Sequence, residues 1–142
     1  MQIRPFQIED EPAVIALWRT CDLVRPWNDP HLDIQRKLAV RPDLFLVGVM
    51  AGRLVACVMA GYEGHRGWLN YLAVAPEYQR RGLARTLVNE AERRLQAAGC
   101  PKINLQVRTT NAGVIEFYRC LGYKVDDVVS LGKRLASDDA PA

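Results

Sequence analysis

A basic loop at residues 79–85 carries the strongest chemical signal in the sequence. It stands between a strand-like run and a stretch with helical spacing of apolar residues, so we expect it to open a helix. Backbone N–H groups in the first turn of a helix lack internal partners and carry a partial positive charge, and they therefore bind phosphate oxygens. Gly82 lets the backbone approach a ligand closely, and Arg80, Arg81 and Arg85 add formal charge. The loop predicts a site for a phosphate-bearing ligand, with a solvated basic helix start as the alternative.

The same loop does not match two well-known nucleotide-binding motifs. No Gly-Lys-Ser/Thr follows it, which excludes a Walker loop. The glycines of a dinucleotide-binding fingerprint are missing, and the strand before the loop is not the first of a parallel series.

The four cysteines, Cys21, Cys57, Cys100 and Cys120, do not indicate a metal site. They form no C-x-x-C pair and have no histidine at metal spacing, so neither zinc nor a disulfide framework is expected. Cys57 lies in an apolar stretch, where a thiol behaves as a small hydrophobe. A thiol enzyme that uses Cys57 or Cys120 is one alternative function, and it would need a nearby histidine.

The composition is that of one globular domain. The chain has 142 residues, which is long enough to bury a core. Hydrophobic residues make up 49% and charged residues 25%, a composition too apolar for a disordered chain. The longest apolar stretch is too short to span a bilayer and the N-terminus lacks the apolar run of a secretory signal, so we expect a cytoplasmic protein without a membrane partner. The net charge of +3 is too mild to indicate nucleic acid.

The elements that would position the basic loop alternate between strands and helices. Hydrophobic periodicity predicts the order βααβββαβαβ, with strands near 2–6, 44–50, 53–62, 68–74, 102–107 and 123–135. The segment 68–107 can pair its two strands in parallel, whereas the hairpin at 44–62 is antiparallel, so the sheet is mixed. The expected fold class is therefore α/β (α+β).

Three segments, in this order along the chain, match a known family. They are the run Leu-Ala-Val-Ala-Pro at 72–76, the motif Gln79-x-x-Gly82-x-Ala84, and Asn111-Ala112 followed by Phe117-Tyr118 and Gly122-Tyr123. On these residues the chain resembles the GCN5-related N-acetyltransferases (the GNAT superfamily), whose acyl-CoA pyrophosphate motif is Q/R-x-x-G-x-G/A. The resemblance runs from Ile3 to Leu135. Within the family, segments 21–30, 63–67 and 130–134 are similar to a small bacterial YpeA-type subgroup, and 105–108 resembles the ribosomal-protein alanine acetyltransferases.

The resemblance implies a fold with more detail than periodicity gives. It implies a mixed, mostly antiparallel sheet of six to seven strands, flanked by about four helices and with splayed central parallel strands. The strand at 68–74 would carry a bulge and open a wedge for the pantetheine arm of the cofactor. One domain would cover residues 1–136, followed by a polar tail at 137–142.

The resemblance also implies acetyl-CoA as co-substrate, without a metal. Backbone groups around Leu72, Ala73 and Val74 would bind the pantetheine arm, and Asn111 would touch it near a helix start. The pyrophosphate would be held by the residues of the basic loop, namely Gln79, Arg80, Arg81, Gly82, Leu83, Ala84 and Arg85.

Tyr118 is the implied general acid. A phenol of pKa about 10 can protonate or hydrogen-bond a leaving thiolate whose acid has a pKa of about 8.5. The alternative is an aromatic packing residue at helical spacing.

Glu63 is the candidate general base, and His65, Glu77 and Glu116 also remain. The alternative for Glu63 and His65 is a polar turn. The alanine acetyltransferases use a glutamate where this chain has Gln106, which cannot take a proton. At pH near 7.4 an α-amine of pKa about 7.8 is roughly 30% neutral, whereas a lysine is only about 0.1% neutral. A chain without an evident carboxylate base therefore leans toward α-amines.

The acceptor amine is expected to meet the loop between the first two helices. Arg25, Trp27, Asn28 and Asp29 offer a cation, a flat apolar face and polar groups, although Trp27 could instead pack the loop onto the core. The predicted function is transfer of an acetyl group from acetyl-CoA to a primary amine of a protein N-terminus or a small molecule. A non-catalytic acyl-CoA-binding regulator is the alternative, nucleic acid is not expected as a partner, and a homodimer is left open.

Overall fold

A computed structural model describes residues 1–139 and divides the chain into two compact units. The first unit comprises Met1–Leu105 together with the C-terminal segment from Asp138, and the second is Gln106–Ser137. The expectation of one domain over 1–136 with a polar tail at 137–142 stays a prediction. Residues 140–142 of that tail lie outside the described residues.

The first unit contains the sheet and three of the helices. In chain order its elements are β1 (Gln2–Pro5), α1 (Glu11–Thr20), α2 (Pro30–Leu38), β2 (Phe45–Met50), β3 (Arg53–Tyr62), β4 (Gly67–Val74), α3 (Leu83–Ala97) and β5 (Ile103–Asn104). The second unit contributes α4 (Ala112–Cys120). The four predicted helices are thus confirmed.

The sheet is mixed, as predicted. Its strands lie in the order β1-β2-β3-β4-β5, the first four antiparallel and β5 parallel to β4. The β2–β3 hairpin turns at Ala51 and Gly52, whose φ values of 49° and 76° are those of a tight turn that follows the strand twist.

Apolar faces of the helices build the core around this sheet. Val14, Leu17 and Trp18 of α1 are buried at the spacing that the sequence predicts. Leu87, Val88, Ala91 and Leu95 of α3 are fully buried in the same way. Strands β2 and β3 supply long buried runs between them.

The predicted strand count of six to seven is wrong for the described residues, which form five strands. The last parallel strand covers only Ile103–Asn104 instead of 102–107, and the segment 123–135 forms no strand. A strand persists only where a neighbour accepts and donates its backbone hydrogen bonds. The segment 123–135 has no such ladder, and its apolar side chains are exposed, namely Val125, Val128, Val129, Leu131 and Leu135.

Candidate active site

Strand β4 carries the predicted bulge. Asn70 pairs with Met59 and Ala73 with Cys57, so two residues of β4, Tyr71 and Leu72, stand opposite one residue of β3. Tyr71 has a φ of 55°, a left-handed conformation that is rare for an aromatic residue. The bulge therefore redirects the strand just before the run at 72–74.

The outer edge of β4 is open beyond its first two residues. Only Gly67 and Trp68 pair with β5, which ends at Asn104. From Leu69 to Val74 this edge has no strand partner among the described residues of the first unit, so its backbone groups can pair with a ligand that lies alongside in extended form.

The basic loop opens α3 without a side-chain cap. Gly82 is the N-cap residue with a φ of 78°, and within residues 1–139 it provides no side-chain cap hydrogen bond. The first intrahelical bond runs from the Thr86 N–H to the Gly82 carbonyl at 3.1 Å. A Cβ at Gly82 would meet nothing within 4 Å, so the backbone angle rather than crowding favours glycine there.

Some side chains of this loop contact neighbouring residues, and others are exposed cations. The Gln79 amide donates to the Val74 carbonyl at 2.9 Å and ties the loop to the end of β4. The Arg81 guanidinium lies 5.2 Å from the centre of the Tyr78 ring. Arg80 and Arg85 are exposed. The loop thus presents an uncapped helix start and three arginines on one short segment.

The loop between α1 and α2 holds the predicted acceptor residues. Asp29 caps α2 by accepting from the His31 N–H at 2.9 Å. Arg25 donates to the Asp22 carbonyl at 2.8 Å, and the Asn28 N–H donates to the Arg25 carbonyl at 3.0 Å. Trp27 keeps 54% of its surface exposed.

In the second unit, Tyr118 is the one buried residue of α4. The Asn111 side chain accepts from the Val114 N–H at 3.3 Å and caps the helix as predicted. The Tyr118 ring makes edge contacts with Phe117 and Tyr123, at centroid distances of 5.1 and 5.3 Å. Burial raises the pKa of Tyr118 to about 12, so the phenol stays protonated at neutral pH.

Glu63 lies in the turn between β3 and β4. One of its carboxylate oxygens accepts from the backbone N–H of His65 at 2.9 Å and from that of Arg66. The side chain is 55% exposed, so its second oxygen can meet water. In the second unit the Gln106 amide donates to the Ser130 hydroxyl.

Cys57 is a core residue, as the sequence predicts. It is fully buried beneath Trp18, whose indole N–H donates to its sulfur at 3.2 Å. Burial raises the pKa of Cys57 to about 12, so no thiolate forms near neutral pH. His31 pairs with Glu11 at 3.2 Å. The alternative of a thiol enzyme built on Cys57 therefore lacks its nucleophile.

Residues 1–139 contain neither a cluster of metal ligands nor a membrane-spanning helix. No three His, Cys, Asp or Glu side chains come together there as a metal site would require. No helix in this part of the chain is long and apolar enough to cross a membrane.

Known proteins resemble this chain over nearly its full length. A family model described as the acetyltransferase (GNAT) family matches residues 12–123. An acetyltransferase of Sodalis glossinidius is 53% identical over 139 residues, which are 97% of this chain and 98% of the relative.

Solved structures show the same architecture. A Chaetomium thermophilum protein in complex with a bisubstrate analogue is 27% identical, with a TM-score of 0.70 over 88% of this chain and 72% of that one. The ribosomal-protein alanine N-acetyltransferase of Escherichia coli is 23% identical, with a TM-score of 0.71 over 85% and 76% of the two chains. AAC(6')-Iy in complex with the bisubstrate analogue CoA-S-monomethyl-acetylneamine is 18% identical, with a TM-score of 0.76 over 94% and 97%.

Proposed function

Because the chain belongs to the acetyltransferase (GNAT) family, we propose that it moves an acetyl group from acetyl-CoA directly to a primary amine. The acceptor is a protein N-terminus or a small-molecule amine, which are the two kinds that its structural neighbours' names suggest. The reaction would take place in the cytoplasm, without nucleic acid or a membrane.

The open start of α3 supports this proposal most directly. Several unpaired N–H groups at an uncapped helix start, next to Arg80, Arg81 and Arg85, suit the two phosphates of a diphosphate. Gly82 and Ala84 are small residues and leave that turn accessible to the diphosphate. Bound acetyl-CoA would supply the acetyl group as an activated thioester.

The open edge of β4 supports a second contact with acetyl-CoA. The pantetheine arm contains amides that can pair with the backbone of Leu72, Ala73 and Val74 as a further strand would. Gln79 braces the end of this strand through the Val74 carbonyl. Asn111 would contribute beside the arm while it caps α4.

Protonation of the leaving thiolate is assigned to Tyr118, and Glu63 is the candidate base that the sequence supplies. Tyr118 would hydrogen-bond and protonate the leaving thiolate as charge develops on sulfur, since its phenol is protonated at neutral pH. Glu63 is the base that the sequence offers, and it would act through water because one of its oxygens already closes the turn.

Acceptor recognition is assigned to Arg25, Trp27, Asn28 and Asp29. The exposure of Trp27 favours recognition over packing, because a residue that only holds a loop down buries its ring.

A thiol-release screen with acetyl-CoA tests the proposal. The panel contains peptides with free N-termini, lysine peptides with blocked N-termini, and small-molecule amines. We expect turnover with at least one acceptor and the fastest rates among α-amines. Calorimetric binding of CoA without turnover on any of these amines would instead support the non-catalytic acyl-CoA-binding regulator.

A further inference from the structure

The bulge in β4 holds Tyr71 between two helices. Its ring stacks on Trp18 of α1 with a centroid distance of 3.8 Å and an interplanar angle of 13°. Trp18 is fully buried and fixed by its bond to Cys57. The phenol therefore has one defined orientation, held by an aromatic stack on one side and by the strained backbone at φ 55° on the other.

The Tyr71 hydroxyl points at a carboxylate of α2. It donates to Asp33 Oδ2 at 2.5 Å, which is the short length of a hydrogen bond to a charged acceptor. The two residues are 38 positions apart in sequence, so this contact is created by the fold and not by local structure.

A chain of polar contacts continues from Asp33 to the acceptor loop. Asp33 pairs with Arg36 at 3.2 Å, and Arg36 pairs with Asp138 at 2.7 Å. Asp138, whose side chain is 3% exposed, accepts from the Asp29 N–H at 2.8 Å. Asp33 is therefore held in place by the same residues that fix the start of α2.

The charge at this point suits proton acceptance. Two carboxylates, Asp33 and Asp138, share one guanidinium, Arg36. Burial, and after it the bond to Asp33, raise the pKa of Tyr71, so the phenol keeps its proton at neutral pH and donates it to the hydrogen bond with Asp33.

The pair also lies next to the two segments proposed to bind acetyl-CoA and the acceptor. Tyr71 directly precedes the strand edge proposed to bind pantetheine, and Asp33 lies one turn after Asp29 of the proposed acceptor loop. Tyr71 is only partly buried, so its ring is not wholly enclosed by the stack on Trp18.

We propose that Tyr71 and Asp33, rather than Glu63, take the proton of the acceptor amine, an inference that rests on the proposed function. The amine nitrogen attacks the thioester carbon and the C–N bond forms. Its proton passes to Tyr71 Oη while the phenol proton passes to Asp33 Oδ2. The C–S bond then breaks with its electron pair on sulfur, Tyr118 protonates the thiolate, and Asp33 returns the proton to solvent. Asp33 thus acts through Tyr71 as a positioning residue.

Two substitutions separate this role from a structural one. Tyr71→Phe keeps the stack on Trp18 and removes the hydroxyl. Asp33→Asn keeps an oxygen that can accept the phenol's hydrogen bond but cannot take its proton. Asp43→Asn is the matched control, since it removes a carboxylate paired with Arg41 outside this chain of contacts.

Steady-state kinetics with acetyl-CoA and the fastest amine of the panel give the test. We expect both variants to lose about 10²–10⁴-fold in kcat while the KM for acetyl-CoA and the control stay at the parent values. Thermal unfolding shows whether each variant folds. If Tyr71→Phe does not fold, Asp33→Asn alone decides whether the pair takes the proton. An Asp33→Asn variant with parental kcat would overturn the assignment of the proton to Tyr71 and Asp33. So would a large loss of kcat that occurs only in Glu63→Gln. A parent chain that turns over no amine would overturn the proposed function, whereas an active parent with active variants would overturn the pair alone.

Discussion

Tyr118 has the property that a proton donor to a thiolate needs, since burial holds its phenol neutral. Tyr118→Phe removes only the hydroxyl and keeps the edge contacts with Phe117 and Tyr123. We expect kcat to fall by about 10²–10⁴-fold, with the Michaelis constants nearly unchanged because the bond strengthens as charge builds on sulfur. Steady-state kinetics measure the split. A Phe variant with near-normal kcat would make Tyr118 a packing residue.

Lys37 is a buried cation on α2 that has no part in the proposed acetyl transfer. It is 9% exposed on α2, and its Nζ lies over Gly61 of β3. Burial lowers the pKa of Lys37, opposed by the Asp43 charge. Between the lowered pKa of the folded chain and the ordinary value of 10.5, the unfolded chain therefore binds more protons at Lys37 than the native chain. The free energy of unfolding rises with pH through that range.

Lys37→Met should consequently stabilise the chain at pH 7, by about 1 kcal/mol. The gain should shrink as the pH approaches the unfolded value of 10.5, because the native lysine then sheds its proton. Urea unfolding at pH 7 and pH 10 checks this, with exposed Lys124→Met as control. A Met variant less stable at pH 7 would show that the ammonium is stabilising.

At the scale of elements, the start of α3 tests the acetyl-CoA site. Gly82→Ala and Gly82→Glu both place a side chain at φ 78°, which costs about 1–2 kcal/mol of stability in each. Only Glu adds an anion against the pyrophosphate. We expect calorimetry to show CoA affinity at least about tenfold weaker for Gly82→Glu than for Gly82→Ala. Equal affinities in the two folded variants would contradict the assignment.

The loop between α1 and α2 tests acceptor recognition. Trp27→Ala removes a flat apolar face that is 54% exposed, so it should raise the KM for the amine and leave that for acetyl-CoA unchanged. Ile8→Ala is the control, since Ile8 is an exposed apolar residue outside the loop. A matching rise in the KM for acetyl-CoA would show that the tryptophan supports the fold instead.

At the scale of the whole molecule, the sequence predicts what local rules decide. Helix α4 was predictable because Asn111 caps it and Gly122, with a φ of 94°, follows it. The segment 123–135 was not, because apolar alternation favours a strand while strand formation depends on a distant partner. The loop at 79–85 was predictable as an uncapped basic helix start. The contact of Tyr71 with Asp33 has no spacing signal, and only the folded sheet creates it.

The stack of Tyr71 on Trp18 also determines which tryptophans of this chain fluoresce strongly. Trp18 lies against a phenol, and its N–H points at the Cys57 sulfur, a neighbour that quenches indole fluorescence. Emission from the native chain should therefore come mainly from Trp27 in the loop between α1 and α2 and from Trp68 at the start of β4, which are 54% and 36% exposed. An amine titration followed by fluorescence would then report on these two places, and unfolding should restore the intensity of Trp18.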